Sequence, residues 1–288
     1  MKKKKITQDK VVYFINYVLL ALLLVIVLYP IIYIISCSFS SGSALMAGRV
    51  RLLPVEFTFD SYKAVFKYQS IWSGYKNSVI YTIVGTLISI VFTLFAAYPL
   101  SRDDFRGQKL FTGLFLFTMM FSGGLIPTYL LVRNLKLIDT MWAIVLPGAV
   151  SAYNMIVART FFKQTIPKEL MEAAEMDGCS DFKFFSRIVI PLSTPIVAVL
   201  CLWVAVSLWN SYFNPMIYIN SEDKYPLQLV LRRILLMSQV NLNSSSVDPQ
   251  VIAKNQYLSE MLKYGTIIIS TLPLMVIYPF VQKYLSRA

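Results

Sequence analysis

The chain of 288 residues has no histidine, only three cysteines and only 15% charged residues. Without histidine it lacks the commonest metal ligand and the side chain most often used as a general base near neutral pH. Cys37, Cys179 and Cys201 stand at unrelated spacings, so they offer neither a disulfide framework nor a metal-ligand pattern. A water-soluble domain carries about a quarter of its residues as charge, and this chain falls well short of that. Its net charge of +12 is not gathered into a basic domain, which argues against nucleic acid as a partner. No Gly-x-x-x-x-Gly-Lys-Ser/Thr loop is present to hold a nucleotide phosphate. What the chain has in abundance is apolar surface: 57% of it is hydrophobic, 14% aromatic, and the mean hydropathy is +0.61. Disorder is excluded by that composition, and a membrane protein is the class that remains.

The placement of the charges tests this class. Cutting the sequence at every Asp, Glu, Lys and Arg leaves six charge-free runs long enough to span a bilayer, at 11–48, 77–101, 110–132, 140–158, 188–221 and 264–282. Each is close to or above the roughly 20 residues that a helix needs to cross a bilayer. A charged side chain at the centre of a span costs about 2.5–3.5 kcal/mol, whereas each Leu, Ile, Val or Phe returns only about 0.3–0.6 kcal/mol. The expectation is therefore an all-α integral membrane protein with six transmembrane helices, at about 12–36, 77–101, 110–132, 140–158, 188–209 and 264–282, forming one domain over 1–288. The run Met1-Lys-Lys-Lys-Lys5 places the N-terminus in the cytoplasm, and six spans bring Lys283 and Arg287 back to the same side. A cleaved signal peptide is a poorer reading of the start, because its apolar run exceeds the ~7–15 residues of a signal core. An ion-coupled secondary transporter would predict carboxylates within spans, and the six runs contain none.

Three segments between the spans carry information. In 37–76, Asp60 is placed to cap a short amphipathic helix running to Phe66. The outer segment 210–263 is the longest polar stretch, and its 241–250 portion, rich in Asn and Ser, reads as an exposed loop tip. The third, 159–187, predicts helix, turn, helix. Pro167 suits a first helical position, Glu169 and Glu172 favour the positive end of a helix dipole, and Gly178 supplies a positive φ. Ala173 and Ala174 present a smooth surface, and Ser180 or Asp181 caps a second helix whose Phe182, Phe185 and Ile188 recur at helical spacing.

This third segment carries a resemblance. Glu172-Ala173-Ala174-x-x-Asp177-Gly178, followed by Pro191-Leu-x-x-Pro195, is similar to the EAA loop of importer permeases of the ATP-binding cassette class. Thr165-Ile-Pro-x-Glu-Leu-x-Glu, Trp209-Asn210 and Asn214-Pro215 extend the match, most closely to the carbohydrate branch that includes the six-span maltose permease subunit. The resemblance implies a type I importer permease fold in which Glu172, Ala173, Ala174, Asp177 and Gly178 belong to coupling helices that seat in a groove of an ATPase. It implies a bacterial cell-membrane location, no cofactor on this chain, and ATP and Mg on the partner. The expected partners are a second permease in a heterodimer, two ATP-binding subunits, an extracellular solute-binding lipoprotein and an oligosaccharide. Two departures are Cys179, where the family more often has Ala, and the ending Gln282-Lys-Tyr-Leu-Ser-Arg-Ala288, where relatives continue into a Gly-rich tail.

Sugars are held by aromatic faces and by amide or hydroxyl groups, and a polar residue inside a span marks a functional position. Tyr153, Asn154, Trp203, Trp209, Asn210 and Tyr212 meet that description and form the expected substrate path. By the resemblance, the outer loop meets the binding protein.

Overall fold

A membrane span reverses the burial rule of a soluble helix, turning small and polar residues toward the protein and large apolar ones outward. Helix α4 (Gln69–Ser101) follows this rule in the computed structural model, which describes residues 2–240 and 249–285. On one face Ser78, Tyr81, Gly85, Ser89, Thr93 and Ala97 recur three or four positions apart and are buried. On another, Ile83, Leu87, Val91 and Phe95 are all about half exposed. Helix α1 (Lys2–Ser38) goes further: every side chain from Lys10 to Ile32 is exposed although its apolar window has a mean hydropathy of 3.1. Water would not tolerate so much exposed apolar surface on one helix, whereas lipid or another apolar helix would.

The chain divides into two compact units, residues 1–69 with 233–271 and residues 70–232 with 272–288. In the first, α2 (Gly42–Met46) and α3 (Asp60–Lys67) follow α1, and the end of α14 (Leu227–Val240) leads on toward α15 (Pro249–Leu285). Its core gathers Cys37, Ala44, Val50 and Tyr264, with Tyr33 and Tyr264 meeting edge to face at 6.3 Å. Gly265 lets α3 lie against α15, since a Cβ there would stand 2.9 Å from Val65 and 3.2 Å from the Ser61 carbonyl. Asp60 is the first residue of α3 rather than its cap. Its N–H donates to Thr58 Oγ1 at 3.2 Å and its carboxylate pairs with Lys63 at 3.1 Å, so Thr58 supplies the capping oxygen.

The second unit surrounds α4 with α5 (Gln108–Met120), α6 (Leu125–Asn134), α7 (Trp142–Val145), α8 (Ala152–Thr165), α9 (Lys168–Met176), α10 (Asp181–Phe184), α11 (Ile190–Leu192), α12 (Thr194–Trp209) and α13 (Phe213–Tyr218). A wide π turn, Phe185–Val189, joins α10 to α11. The core lies at the Ser101 end of α4, where Leu94, Ala97 and Tyr98 pack with Met155 and Phe162 of α8, Phe184, Phe185 and Leu200.

Three expected spans are not straight helices. The run 110–132 is broken between α5 and α6, which meet at 113°: α5 ends as Phe121 turns extended, and Gly124, at φ +83°, caps the start of α6, whose first turn holds Pro127. The 13 residues of α5 reach about 20 Å, short of a roughly 30 Å hydrocarbon core. The run 140–158 is interrupted after α7 at Pro147-Gly148, and Ser151 restarts it by accepting the Asn154 N–H. The stretch 188–209 bends by 80° before α12, where Ser193 leaves the helix ahead of Pro195. Among the described residues, Lys10–Ser38 and Gln69–Ser101 alone have the length and hydropathy of a single span, and the two bent pairs meet the test together.

The stretch expected as an outer loop, 210–263, is largely helical: α13, a 3-10 turn at Glu222–Lys224, α14 and the start of α15. The expected loop tip at 241–250 lies for the most part outside the described residues. Residues 223–227 are stitched to the third and fourth turns of α4. Asn77 donates to the Asp223 and Tyr225 carbonyls, Tyr81 to the Lys224 carbonyl, and the Leu227 N–H to Ser78 Oγ. Asp139, at φ +62°, accepts the N–H groups of Asn220 and Ser221 and the Lys224 ammonium at 2.6 Å. These partners, Lys224 foremost, hold its carboxyl far below the usual range.

Candidate functional site

Segment 159–187 folds as helix, turn, helix. Pro167 is the cap of α9 rather than its first residue, with extended backbone at φ −64° and ψ 144°. At the other end, the Cys179 N–H donates to the Ala174 carbonyl at 2.9 Å and the Gly178 N–H to the Glu175 carbonyl at 3.0 Å. With Gly178 at φ +68°, this is the Schellman arrangement, in which two otherwise orphaned carbonyls are satisfied by a left-handed reversal. Cys179 and Ala174 both lie against the core, so the thiol supplies the apolar contact that accompanies such a cap. Ser180 caps α10 by position without a side-chain bond, and Asp181 is instead drawn to Arg102.

No residue of α9 is buried. The two alanines part company, because neighbours on a helix point about 100° apart. Ala174, with Met171, rests on the core, while Ala173 is exposed together with Glu169, Leu170, Glu172 and Met176, the last at 89% exposure. The exposed side of α9 is thus an apolar patch rimmed by carboxylates, and Asp177 is exposed at its end.

Sequence reasoning passed over the residues that hold this helix in place. Arg102, just past α4, is largely covered; its guanidinium forks onto Asp104 at 2.9 and 2.6 Å and also donates to Asp181, to Glu175 at 3.4 Å and to the Tyr98 hydroxyl at 3.4 Å. Asp103 bridges Lys163 at 2.9 Å and Lys168 at 2.5 Å. These ammonium groups, Lys168 first, hold its carboxyl down to about 2, and Asp104 is lowered by Arg102. The Leu100 carbonyl, orphaned at the end of α4, accepts Arg159 Nε at 2.7 Å and Gln108 Nε2 at 3.0 Å. Two charged pairs following a charge-free run were the signal available in the sequence.

The expected substrate-path residues separate into two groups. Asn154 and Trp203 line a cavity of about 320 Å3 together with Ser89, Ser151, Ser207, Ser211 and Asn214, a wall of neutral hydroxyl and amide groups. Tyr153 stacks obliquely on Trp203 at 5.9 Å. The others lie elsewhere: Trp209 is buried against Tyr75 at 5.6 Å, Asn210 donates to the Val206 carbonyl at 2.9 Å, and Tyr212 carries the Arg232 guanidinium 4.6 Å above its ring. Ser207 and Ser211, four apart, and Gly85 with Ser89, also four apart, are the helical-spacing signal that went unread.

Helices that turn apolar faces outward around a neutral polar cavity, with one exposed capped helix beside them, describe a membrane transport component. Residues 2–288 match the family of binding-protein-dependent transport system inner membrane components, and the chain belongs to it. It is 39% identical over 262 residues to the protein LplC of Bacillus subtilis, covering 91% of this chain and 87% of that protein. It is 36% identical over 277 residues to the polygalacturonan/rhamnogalacturonan transport system permease protein YtcP of the same organism, covering 94% and 93%. The crystal structure of a bacterial ABC transporter involved in the import of the acidic polysaccharide alginate contains a chain that superimposes with a TM-score of 0.86 at 38% identity, covering 96% and 97%. The family is one of importer permease subunits, not of enzymes, and the resemblance read from Glu172 to Gly178 agrees with that membership.

Proposed function

We propose that this chain moves an oligosaccharide across the cytoplasmic membrane by alternating access, as one half of a heterodimer with a second permease. In this reading it has six spans with both termini in the cytoplasm. Two ATP-binding subunits hold the ATP and Mg, and an extracellular lipoprotein delivers the sugar. The observation that carries the reading is α9, whose apolar and acidic outer face ends in a Schellman turn at Gly178. A short helix with nothing buried is suited to be gripped by another protein, and Glu172 on that face suits a basic groove. The segments expected in the cytoplasm, 102–106 and 159–187, gather at one end of α4, and those expected outside, around 139 and 220, gather at the other. The sugar assignment is supported by the names of the relatives and by the cavity, whose serines, asparagines and Trp203 suit hydroxyl groups and a pyranose face.

A full swing between 1:99 and 99:1 populations takes about 5.5 kcal/mol of differential binding, which nucleotide and docking together supply and a lone surface ion pair at about 0–1 kcal/mol does not. Co-purification with the ATP-binding subunits tests the reading. Glu172→Ala combined with Gly178→Pro should lose the ATPase while leaving the chain in the membrane, and normal co-purification of that double variant would refute the docking site.

A further inference from the structure

We propose that residues 102–104 form a clamp that grips both ends of α9, with Arg102 and Asp103 as positioning residues that pass its movement into α4. The inference rests on the reading of α9 as the docking helix for an ATPase.

The need for a clamp follows from the helix itself. With nine residues, α9 is below the ~12–15 at which a helix becomes marginally stable in isolation. It is bounded by a break at Ile166-Pro167 and by the reversal at Gly178, so its two covalent connections act as hinges. Met171 and Ala174 give it only a narrow footing on the core. A push delivered to such an element would turn it about its hinges unless both ends were tied to something rigid.

Two consecutive residues supply those ties. Asp103 holds Lys168 at the start of α9 and Lys163 on α8. Arg102 holds Glu175 near the end of α9 and Asp181 at the start of α10. Its side chain is only 13% exposed, against 56% and 74% for those partners, so the cation is fixed and the acids come to it. The fixing is done by the Asp104 fork, by Tyr98, and by the Leu100 carbonyl clasped from Arg159. Tyr98 lies tilted against Phe185 at 4.8 Å, which ties the same turn of α4 to the segment following α9. From there α4 runs as one helix to the polar cavity at Ser89 and Gly85, so a displacement of its last turn is carried to the cavity wall. The fork explains why Arg rather than Lys stands at 102: an ammonium is a single point charge and cannot meet Asp104 in parallel while still facing two other carboxylates.

The test follows the cavity wall and needs no sugar. In the full complex in proteoliposomes, with Cys37, Cys179 and Cys201 replaced by alanine, Ser211→Cys is reacted with a membrane-impermeant maleimide. The rate is compared without nucleotide and after trapping with ATP and vanadate. The complex with the clamp intact should show a clear change in rate between the two states. Arg102→Ala and Asp103→Ala should reduce that change about fivefold in complexes that still contain the ATPase, with Asp103→Glu restoring most of it and Arg102→Lys only part. Should Arg102→Ala fail to assemble, Asp103→Asn and Glu175→Gln carry the same comparison. An undiminished change in the assembled clamp variants overturns the clamp and leaves the docking reading standing. No change in the complex with the clamp intact, or full ATPase retention by the Glu172→Ala, Gly178→Pro double variant, overturns the docking reading and the clamp with it.

Discussion

Replacing Gly178 isolates the contribution of a single backbone angle to the docking proposed for α9. The residue sits at φ +68°, and a Cβ built on it would meet nothing within 4 Å, so packing adds no penalty and the strain is entirely that of the backbone. A left-handed conformation costs an L-residue about 1–2 kcal/mol. That corresponds to a fall of about fivefold to thirtyfold in the equilibrium constant for forming the turn. Apparent affinity scales with the competent fraction, so Gly178→Ala should weaken ATPase attachment by up to that factor. Asn tolerates this region better, so Gly178→Asn should lose less than Ala. Gly178→Pro should abolish attachment, because its ring requires φ near −65° and it removes the N–H that donates to the Glu175 carbonyl at 3.0 Å. Titrating purified ATP-binding subunit against each variant gives the order Gly, Asn, Ala, Pro. Equal affinities for Ala and Asn, or a Pro variant that binds normally, would refute the claim that docking requires the reversal.

The cavity makes opposite predictions for two tryptophans. Trp203→Ala should raise the KM for uptake with little effect on the melting temperature, whereas Trp209→Ala should lower the melting temperature by removing a buried ring. Asp139→Ala should lower stability by about 1–3 kcal/mol, since the Asn220 and Ser221 N–H groups lose their acceptor. Asp139→Asn should be milder, because it keeps an acceptor and tolerates φ +62°, and thermal unfolding separates the two. Asp103 titrates from an ordinary 3.8 down to about 2 in the fold, so its stabilisation is complete above pH ~4 and is lost as pH falls through ~2. The protection of α9 amides against hydrogen exchange, corrected for the intrinsic rate, should fall more steeply on acidification in the parent than in Asp103→Asn.

Much of the fold was readable wherever the physics is local. The charge-free runs at 77–101 and 264–282 lie within α4 and α15, because the cost of inserting a charge acts residue by residue. Hydropathy sees no backbone, however, so it ran 110–132 through the turn at Gly124 and 188–209 through the bend before Thr194. On α9, Glu172 and Ala173 are exposed, while Ala174 turns inward. The substrate path was read by residue type. Of the residues so named, Asn154 and Trp203 line the cavity and Trp209 packs against Tyr75 instead, and the serines beside them give no signal one at a time because they are small.

The sequence by itself determined that the chain is a membrane protein, that a left-handed turn stands at 178, and that the motif around it belongs to importer permeases. Each of these depends on interactions within a few residues: a transfer energy, a dihedral angle, or a short pattern. Only the tertiary structure decided that Arg102 meets Glu175 and Asp181 across 73 and 79 residues of chain, and that Ser89 shares a cavity with Asn214. Such pairings are fixed by how helices pack around α4, and their ends carry no mark in the sequence of the partner they will find.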